Sequence, residues 1–173
     1  MPTQKVVTVN GQDLLELDLT LGQVIQAVSG TVNAVSGTTQ IPFDNTTPLI
    51  TEGFQLLSLS VTPKAVASKQ YLTLNLNVDH SNNNRIITAT VWVNTSLIYT
   101  HSVNIADTLI APSGRPLSLP IHAWFDSVDL TPKTVQVRVG ANGNGTTYVG
   151  ASADVNLGGN RNTHYSLMEV LNV

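Results

Sequence analysis

Apolar residues recur at every second position through most of this chain. Leu15, Leu17, Leu19 and Leu21 alternate with Glu16, Asp18 and Thr20, and Leu72, Leu74, Leu76 and Val78 alternate with Thr73, Asn75 and Asn77. The same rhythm runs through Leu57, Leu59 and Val61, through Ile87, Ala89, Val91 and Val93, through Leu117, Leu119 and Ile121, and through Val135, Val137 and Val139. A period of two sends successive side chains to opposite faces, so these runs predict strands with one buried face. No stretch carries a helical stripe. Turn-forming residues punctuate the runs at Asn10-Gly11, Ser29-Gly30, Ser36-Gly37, Thr62-Pro63-Lys64, Asn82-Asn83-Asn84, Pro112-Ser113-Gly114, Asn142-Gly143-Asn144-Gly145 and Gly158-Gly159-Asn160. Many short strands with regular turn signals predict an all-β fold, a jelly-roll sandwich of short antiparallel strands. Pro120 lies inside one alternating run and cannot donate to a ladder, so its strand should be an edge or carry a bulge. The glycine-rich Gly140–Gly145 segment reads as a hairpin loop rather than a phosphate cradle.

The alternation also divides the chain. Residues 1–21 form an amino-terminal arm ahead of a jelly-roll domain over residues 22–173. In the arm, Val6, Val7 and Val9, then Leu15, Leu17, Leu19 and Leu21, predict two extended segments separated by Asn10-Gly11. A terminal strand needs a ladder partner and a cover for its leucines, each contributing roughly 1.5–3 kcal/mol when buried. These seven residues are therefore the expected docking surface toward a neighbouring subunit, or for strand exchange. The alternative is that they form the first strand of the domain's own sandwich.

Composition narrows the chemistry. A chain of 173 residues is long enough for one domain that buries roughly 70% of its unfolded surface without staples. There is no cysteine, which removes disulfides, zinc–thiolate sites and thiol nucleophiles. With a formal charge of -3 and only 11% charged residues, no basic stripe is available for phosphates, so neither nucleic acid nor a membrane is an expected partner. The opening Met1-Pro2-Thr3-Gln4-Lys5 lacks the pattern of a secretory signal, which points to synthesis in a cytoplasm. Polarity comes from Thr, Ser, Asn and Gln, a surface suited to packed assemblies, where unpaired charges are costly to bury.

Candidate catalytic groups do not assemble in the sequence. His80, His101, His122 and His164 have no metal-ligand spacing, and Asp44, Glu52, Asp79, Asp126, Asp129, Asp154 and Glu169 are scattered. No nucleophile elbow or phosphate loop is present. The expectation is a protein that is not an enzyme, with no catalytic residues, metal or cofactor. Three Asn-x-Ser/Thr matches, at Asn45, Asn94 and Asn144, follow from composition. Aromatic residues are few, and Trp124, Tyr148 and Tyr165 are the candidates for stacking on sugar rings, with core packing or a subunit interface as the competing role.

The run from Ile25 to Gly53 resembles a recurring opening of tailed-bacteriophage virion jelly-roll modules, tumour-necrosis-factor-like units found in head decoration and tail fibre proteins. Its most specific part is Ile41, Pro42, Phe43, Asp44 and Asn45 leading to Thr51, Glu52 and Gly53. Leu59-Ser60-Val61-Thr62-Pro63 with Tyr71–Leu76, Val137–Gly140 with Gly145–Tyr148, and Ser166–Val170 are similar to the later strands of that family. The resemblance covers about residues 24 to 173. It implies a structural protein of the virion, foremost a capsid decoration or cement protein that binds and stabilises the outer shell, with a short tail fibre or receptor-binding protein recognising host glycans as the alternative. It also implies self-association as a homotrimer, with a dimer as the second possibility, and contact with the major capsid protein or another virion protein.

Overall fold

The computed structural model describes residues 6–9, 12–15, 22–82, 84–105, 116–151 and 162–171. Every regular element in them is a strand. They are β1 (Val6–Val9), β2 (Gln12–Leu15), β3 (Val24–Val32), β4 (Val35–Gly37), β5 (Phe54–Val61), β6 (Ser68–His80), β7 (Arg85–Val93), β8 (Ser96–Ile105), β9 (Leu117–Ser127), β10 (Lys133–Ala141), β11 (Thr147–Val149) and β12 (Thr163–Leu171).

Two sheets carry the domain. One has the order β5-β10-β7-β8, and the other runs β3-β12-β6 with β9 on the far side of β6. All the pairings are antiparallel. The short strands β11 and β4 extend the second sheet beside the distal end of β6. Following the chain, β3 lies in one sheet and β5 in the other, β6 returns, β7 and β8 cross again, β9 returns, β10 crosses and β12 closes beside β3. This alternation between two four-stranded layers is a jelly roll. Separately, β1 and β2 pair with each other, Val6 opposite Leu15 and Val9 opposite Gln12.

Alternation sets the core. Leu72, Leu74, Leu76 and Val78 of β6 meet Leu119, Ile121 and Ala123 of β9 across the ladder, and Val135, Val137 and Val139 of β10 face them from the opposite sheet. All are at most 4% exposed, so each contributes close to its full burial energy. Trp92 is also buried, and its indole N–H donates to Thr90 Oγ1 at 2.9 Å, which removes the cost of enclosing that group.

Pro120 stands opposite Asn75 in an unbroken register, and β9 pairs only with β6 among the described strands. Among the described strands β9 is therefore an edge, the position at which a residue without an N–H is tolerated.

Two sequence expectations change. Ser29-Gly30 and Ser36-Gly37 are not turns: they lie inside β3 and β4. Their glycines make room for rings, since a Cβ on Gly30 would stand 2.6 Å from the Tyr165 hydroxyl, and one on Gly37 would overlap Phe54. The Asn142–Gly145 loop joins strands of different sheets, so it is a crossover rather than a hairpin. Trp124 sits within β9 and pairs with Tyr71.

Candidate interaction surface

The sheet β3-β12-β6-β9 has an inner face given to the core and an outer face left open. Strand parity and register place Ala27, Met168, Tyr71 and Trp124 side by side on the outer face, one from each strand. The neighbouring row is Val24, Val170, Lys69 and Asp126, and on the other side lie Ser29, Ser166, Thr73 and His122. The face is therefore split into an apolar, aromatic half and a hydroxyl-rich half. Trp124 is 55% exposed, Val24 49% and Tyr71 37%.

Charge within the apolar half is self-contained. Lys69 Nζ lies 4.5 Å from the centre of the Trp124 ring and 4.0 Å from Asp126 Oδ1. The ammonium is attracted to the ring face while its carbon stem covers apolar surface. Beyond this row, Val66 and Val128 rise exposed beside Lys69 and Asp126 around an open depression of about 400 Å³. A second groove of about 400 Å³ separates the two sheet edges, lined by Ile98 and Tyr99 of β8 and by residues 122–126 of β9. Near it the Tyr99 and His101 rings stack with centroids 6.3 Å apart.

The three candidate sugar-stacking residues are not brought together. Trp124 points outward opposite Tyr71, whereas Tyr148 is half-buried on β11 opposite Asp79, roughly 27 Å farther along β6 at the usual rise per residue. Tyr165 packs over Gly30 against the core. Of the arm residues, Val6, Val7 and Val9 lie in β1 and Leu15 in β2, while Leu17, Leu19 and Leu21 fall outside the described residues.

The Ile41–Gly53 block is tied into the fold by backbone and side-chain bonds. Ile41 is 1% exposed, its N–H donates to Ala141 O at 3.1 Å, and Gly53 N–H donates to Gln40 O at 2.8 Å. Gly53 has φ +66, and a Cβ there would meet Val139 O at 2.8 Å, so glycine is required on two counts. Arg138 donates from Nε to Glu52 O at 2.9 Å and from Nη2 to Gly53 O at 2.6 Å. Glu52 Oε2 accepts the Leu49 N–H at 2.9 Å, and Asp44 Oδ1 accepts the Thr46 N–H at 2.8 Å and its hydroxyl at 2.6 Å. Those two bonds hold the Asp44 carboxyl below its ordinary pKa. Pro42, Phe43, Asn45 and Thr51 remain exposed, Phe43 at 61%.

Two buried polar centres escaped the sequence reading. Glu169 is fully buried on β12 and accepts from Lys64 N–H at 2.8 Å, Ala65 N–H at 3.0 Å and Ser68 Oγ at 2.6 Å. The Gln26 amide nitrogen reaches Glu169 Oε2 at 3.0 Å and Thr62 O at 3.1 Å. Burial alone would raise the Glu169 pKa, but the bonds from Ser68, Lys64, Ala65 and Gln70 outweigh it and hold the carboxyl below its ordinary value. The only signal in the sequence was that Glu169 shares the parity of inward-facing Leu167. His80 is 2% exposed at the end of β6, with Nδ1 accepting the Asn82 N–H at 3.0 Å and Nε2 unpartnered among the described residues. Desolvation lowers its pKa, and Arg85 adds to that against the opposing effects of Asn82 and Asp79. Among the described residues no three His, Asp or Glu side chains converge as metal ligands.

No family model matches the sequence, and no curated protein does. Among solved structures, the chain is similar to the CBM36-1 domain of a multidomain xylanase from the hindgut metagenome of Trinervitermes trinervoides, with 12% identity and a TM-score of 0.41 over 84% of this chain and 100% of that one. It is also similar to a chain of infectious bursal disease virus strain Gt, with 11% identity and a TM-score of 0.43 over 99% of this chain and 43% of that one. The VP2 subviral particle of the same virus gives 11% identity and a TM-score of 0.40, again over 99% and 43%. The chain thus spans less than half the length of these viral proteins.

Proposed function

We propose that this chain is a non-enzymatic structural protein of a bacteriophage virion: a capsid decoration protein that is made in the host cytoplasm, assembles as a homotrimer and cements the outer shell through contacts with the major capsid protein. The observation that carries the reading is the half-apolar outer face of the β3-β12-β6-β9 sheet. Its exposed Trp124, Tyr71 and Val24 belong to a jelly roll whose remaining exterior is poor in charge, and an apolar, charge-neutral patch of this kind is characteristic of surfaces that become covered by protein. The resemblance of the Ile41–Gly53 block to phage virion modules agrees with it. The amino-terminal arm is the docking element in this reading, its leucines giving register and its main chain affinity.

A second reading, a receptor-binding protein of a short tail fibre, is favoured by one feature: Trp124 lines, with His122 and Asp126, an open groove of about 400 Å³. Copy number separates the two. Quantitative mass spectrometry of purified particles should give this chain in amounts comparable with the major capsid protein, and sedimentation equilibrium of the free protein should give a trimer. Counts of only a few copies per particle would overturn the decoration reading in favour of the tail.

A further inference from the structure

The chain carries two surfaces that each need a cover. One is the apolar half of the outer sheet face, with Met168, Tyr71 and Trp124 in one row and Val24 and Val170 in the next. The other is the amino-terminal arm, where β1 and β2 satisfy each other's main chain in a two-stranded ladder. An isolated two-stranded hairpin is marginal in water unless it packs against something.

Their positions along the chain connect them. The backbone turns at Gly22, where φ is +82 and the N–H donates to Leu171 O at 3.1 Å, and Val24 is then placed opposite Val170. The arm therefore joins the domain at the border of the apolar half-face. From Leu15 to Gly22 an extended chain spans at most about 25 Å, whereas the width of the four strands β3, β12, β6 and β9 is about 14 Å. The tether is long enough to lay the arm across the whole Ala27–Met168–Tyr71–Trp124 row of its own molecule. The chemistry matches as well. In an extended arm, Leu15, Leu17, Leu19 and Leu21 share one side and Glu16 and Asp18 the other, so leucines against the sheet leave the carboxylates in solvent. The Lys69–Asp126 pair leaves no uncompensated charge beneath them.

We infer that the apolar half of this outer face is the seat of the amino-terminal arm, which covers Tyr71 and Trp124 as a third layer on the sandwich. The inference rests on the arm being a docking element, as proposed above, and adds where on this chain it docks.

The absence of cysteine makes the test direct. A full-length Leu19→Cys/Met168→Cys variant should form a disulfide in high yield under mild oxidation, while Leu19→Cys/Thr31→Cys, with its second cysteine on the hydroxyl-rich half, should not. A product of monomer mass places the arm on its own molecule and a product of dimer mass on a neighbour, and both support the seat. The second measurement uses tryptophan fluorescence, since Trp92 is only 4% exposed and quenching reports mainly on Trp124. Full-length protein with Leu17→Asp and Leu19→Asp should show an acrylamide quenching constant about two-fold or more above the parent, as its ring loses cover. Equal quenching together with no selective disulfide would overturn the inference. If the double aspartate variant loses binding to particles stripped of the native protein while Trp124 quenching is unchanged, the arm docks elsewhere: the decoration reading survives and this seat does not.

Discussion

Replacing Glu169 tests whether one buried carboxylate holds the β5–β6 connection to the sheet. Its oxygens accept two backbone N–H groups, from Lys64 and Ala65, and the Ser68 hydroxyl, at 2.6–3.0 Å. In Glu169→Ala these three donors lose their acceptor, and each buried donor left unsatisfied costs about 1–3 kcal/mol. Lys64 is exposed and Ala65 half-exposed, so water reaches part of the loop and the total should fall near 3–5 kcal/mol, the range for removing one partner of a buried charged network. Glu169→Gln keeps the shape and one acceptor oxygen and should cost about 1.5–3 kcal/mol. Since a domain has only about 5–15 kcal/mol in total, the Gln variant keeps the measurement accessible if the Ala variant is largely unfolded. Urea unfolding followed by tryptophan fluorescence gives both values. pH supplies a second arm: with its folded pKa below the ordinary 4.5, Glu169 contributes stability that is present above the unfolded pKa and is lost as pH falls through the folded one. The parent should therefore lose part of its stability below about pH 4.5, and the Gln variant should lose less over the same interval. A loss under about 1 kcal/mol for Glu169→Ala at neutral pH, with an unchanged denaturant slope, would refute the reasoning, because the loop donors would then be finding water at no cost.

His80 acts in the same direction over a higher pH range. Its folded pKa lies below the ordinary 6.5, so its stabilising effect is complete above that value and declines as pH falls toward the folded pKa, by at most about 1.4 kcal/mol per pH unit. Unfolding between about pH 7.5 and 5.5 should show this decline in the parent and a smaller one in His80→Gln, and identical profiles would contradict it. Gly53→Ala places a Cβ against Val139 O in a left-handed backbone conformation and should cost about 2–4 kcal/mol, lowering Tm by roughly 5–15 °C. A calorimetric shift of less than a degree or two would mean that the loop moves aside freely.

Much of the architecture was legible because burial obeys parity. Leu72, Leu74, Leu76 and Val78 alternate in the sequence and are buried in the fold, and Pro120 announced an edge strand. Parity says which residues share a face but not which face is covered. Tyr165 and Trp124 were open in the sequence to either sugar stacking or packing, and register with Leu74 turned the first inward while register with Tyr71 turned the second outward. Gly30 and Gly37 misled for the same reason: a glycine making room for a ring, Tyr165 on the neighbouring strand or Phe54 on the opposite sheet, resembles a turn glycine until the packing is known. The outer-face row draws one residue from each of four strands, and Glu169 serves a loop about a hundred positions earlier in the chain. No local pattern encodes either.

The pairing of β3 with β12 sets a timetable for making this protein. Val32 lies opposite Thr163 and Val24 opposite Val170, so the second strand of that ladder does not exist until well over a hundred further residues have been synthesised. At about 5–20 residues per second, β3 waits on the order of ten seconds for its partner. Within the sandwich only β7 and β8 are joined directly through a tight turn, at Asn94-Thr95, and could pair early. Closure of the remaining ladders costs loop entropy before it returns any contact, which favours slow folding. The β3 and β6 edges that β12 joins stay open until that strand has been made. The apolar outer-face row is completed only when β12 brings Met168 and Val170 alongside Tyr71 and Lys69 of β6.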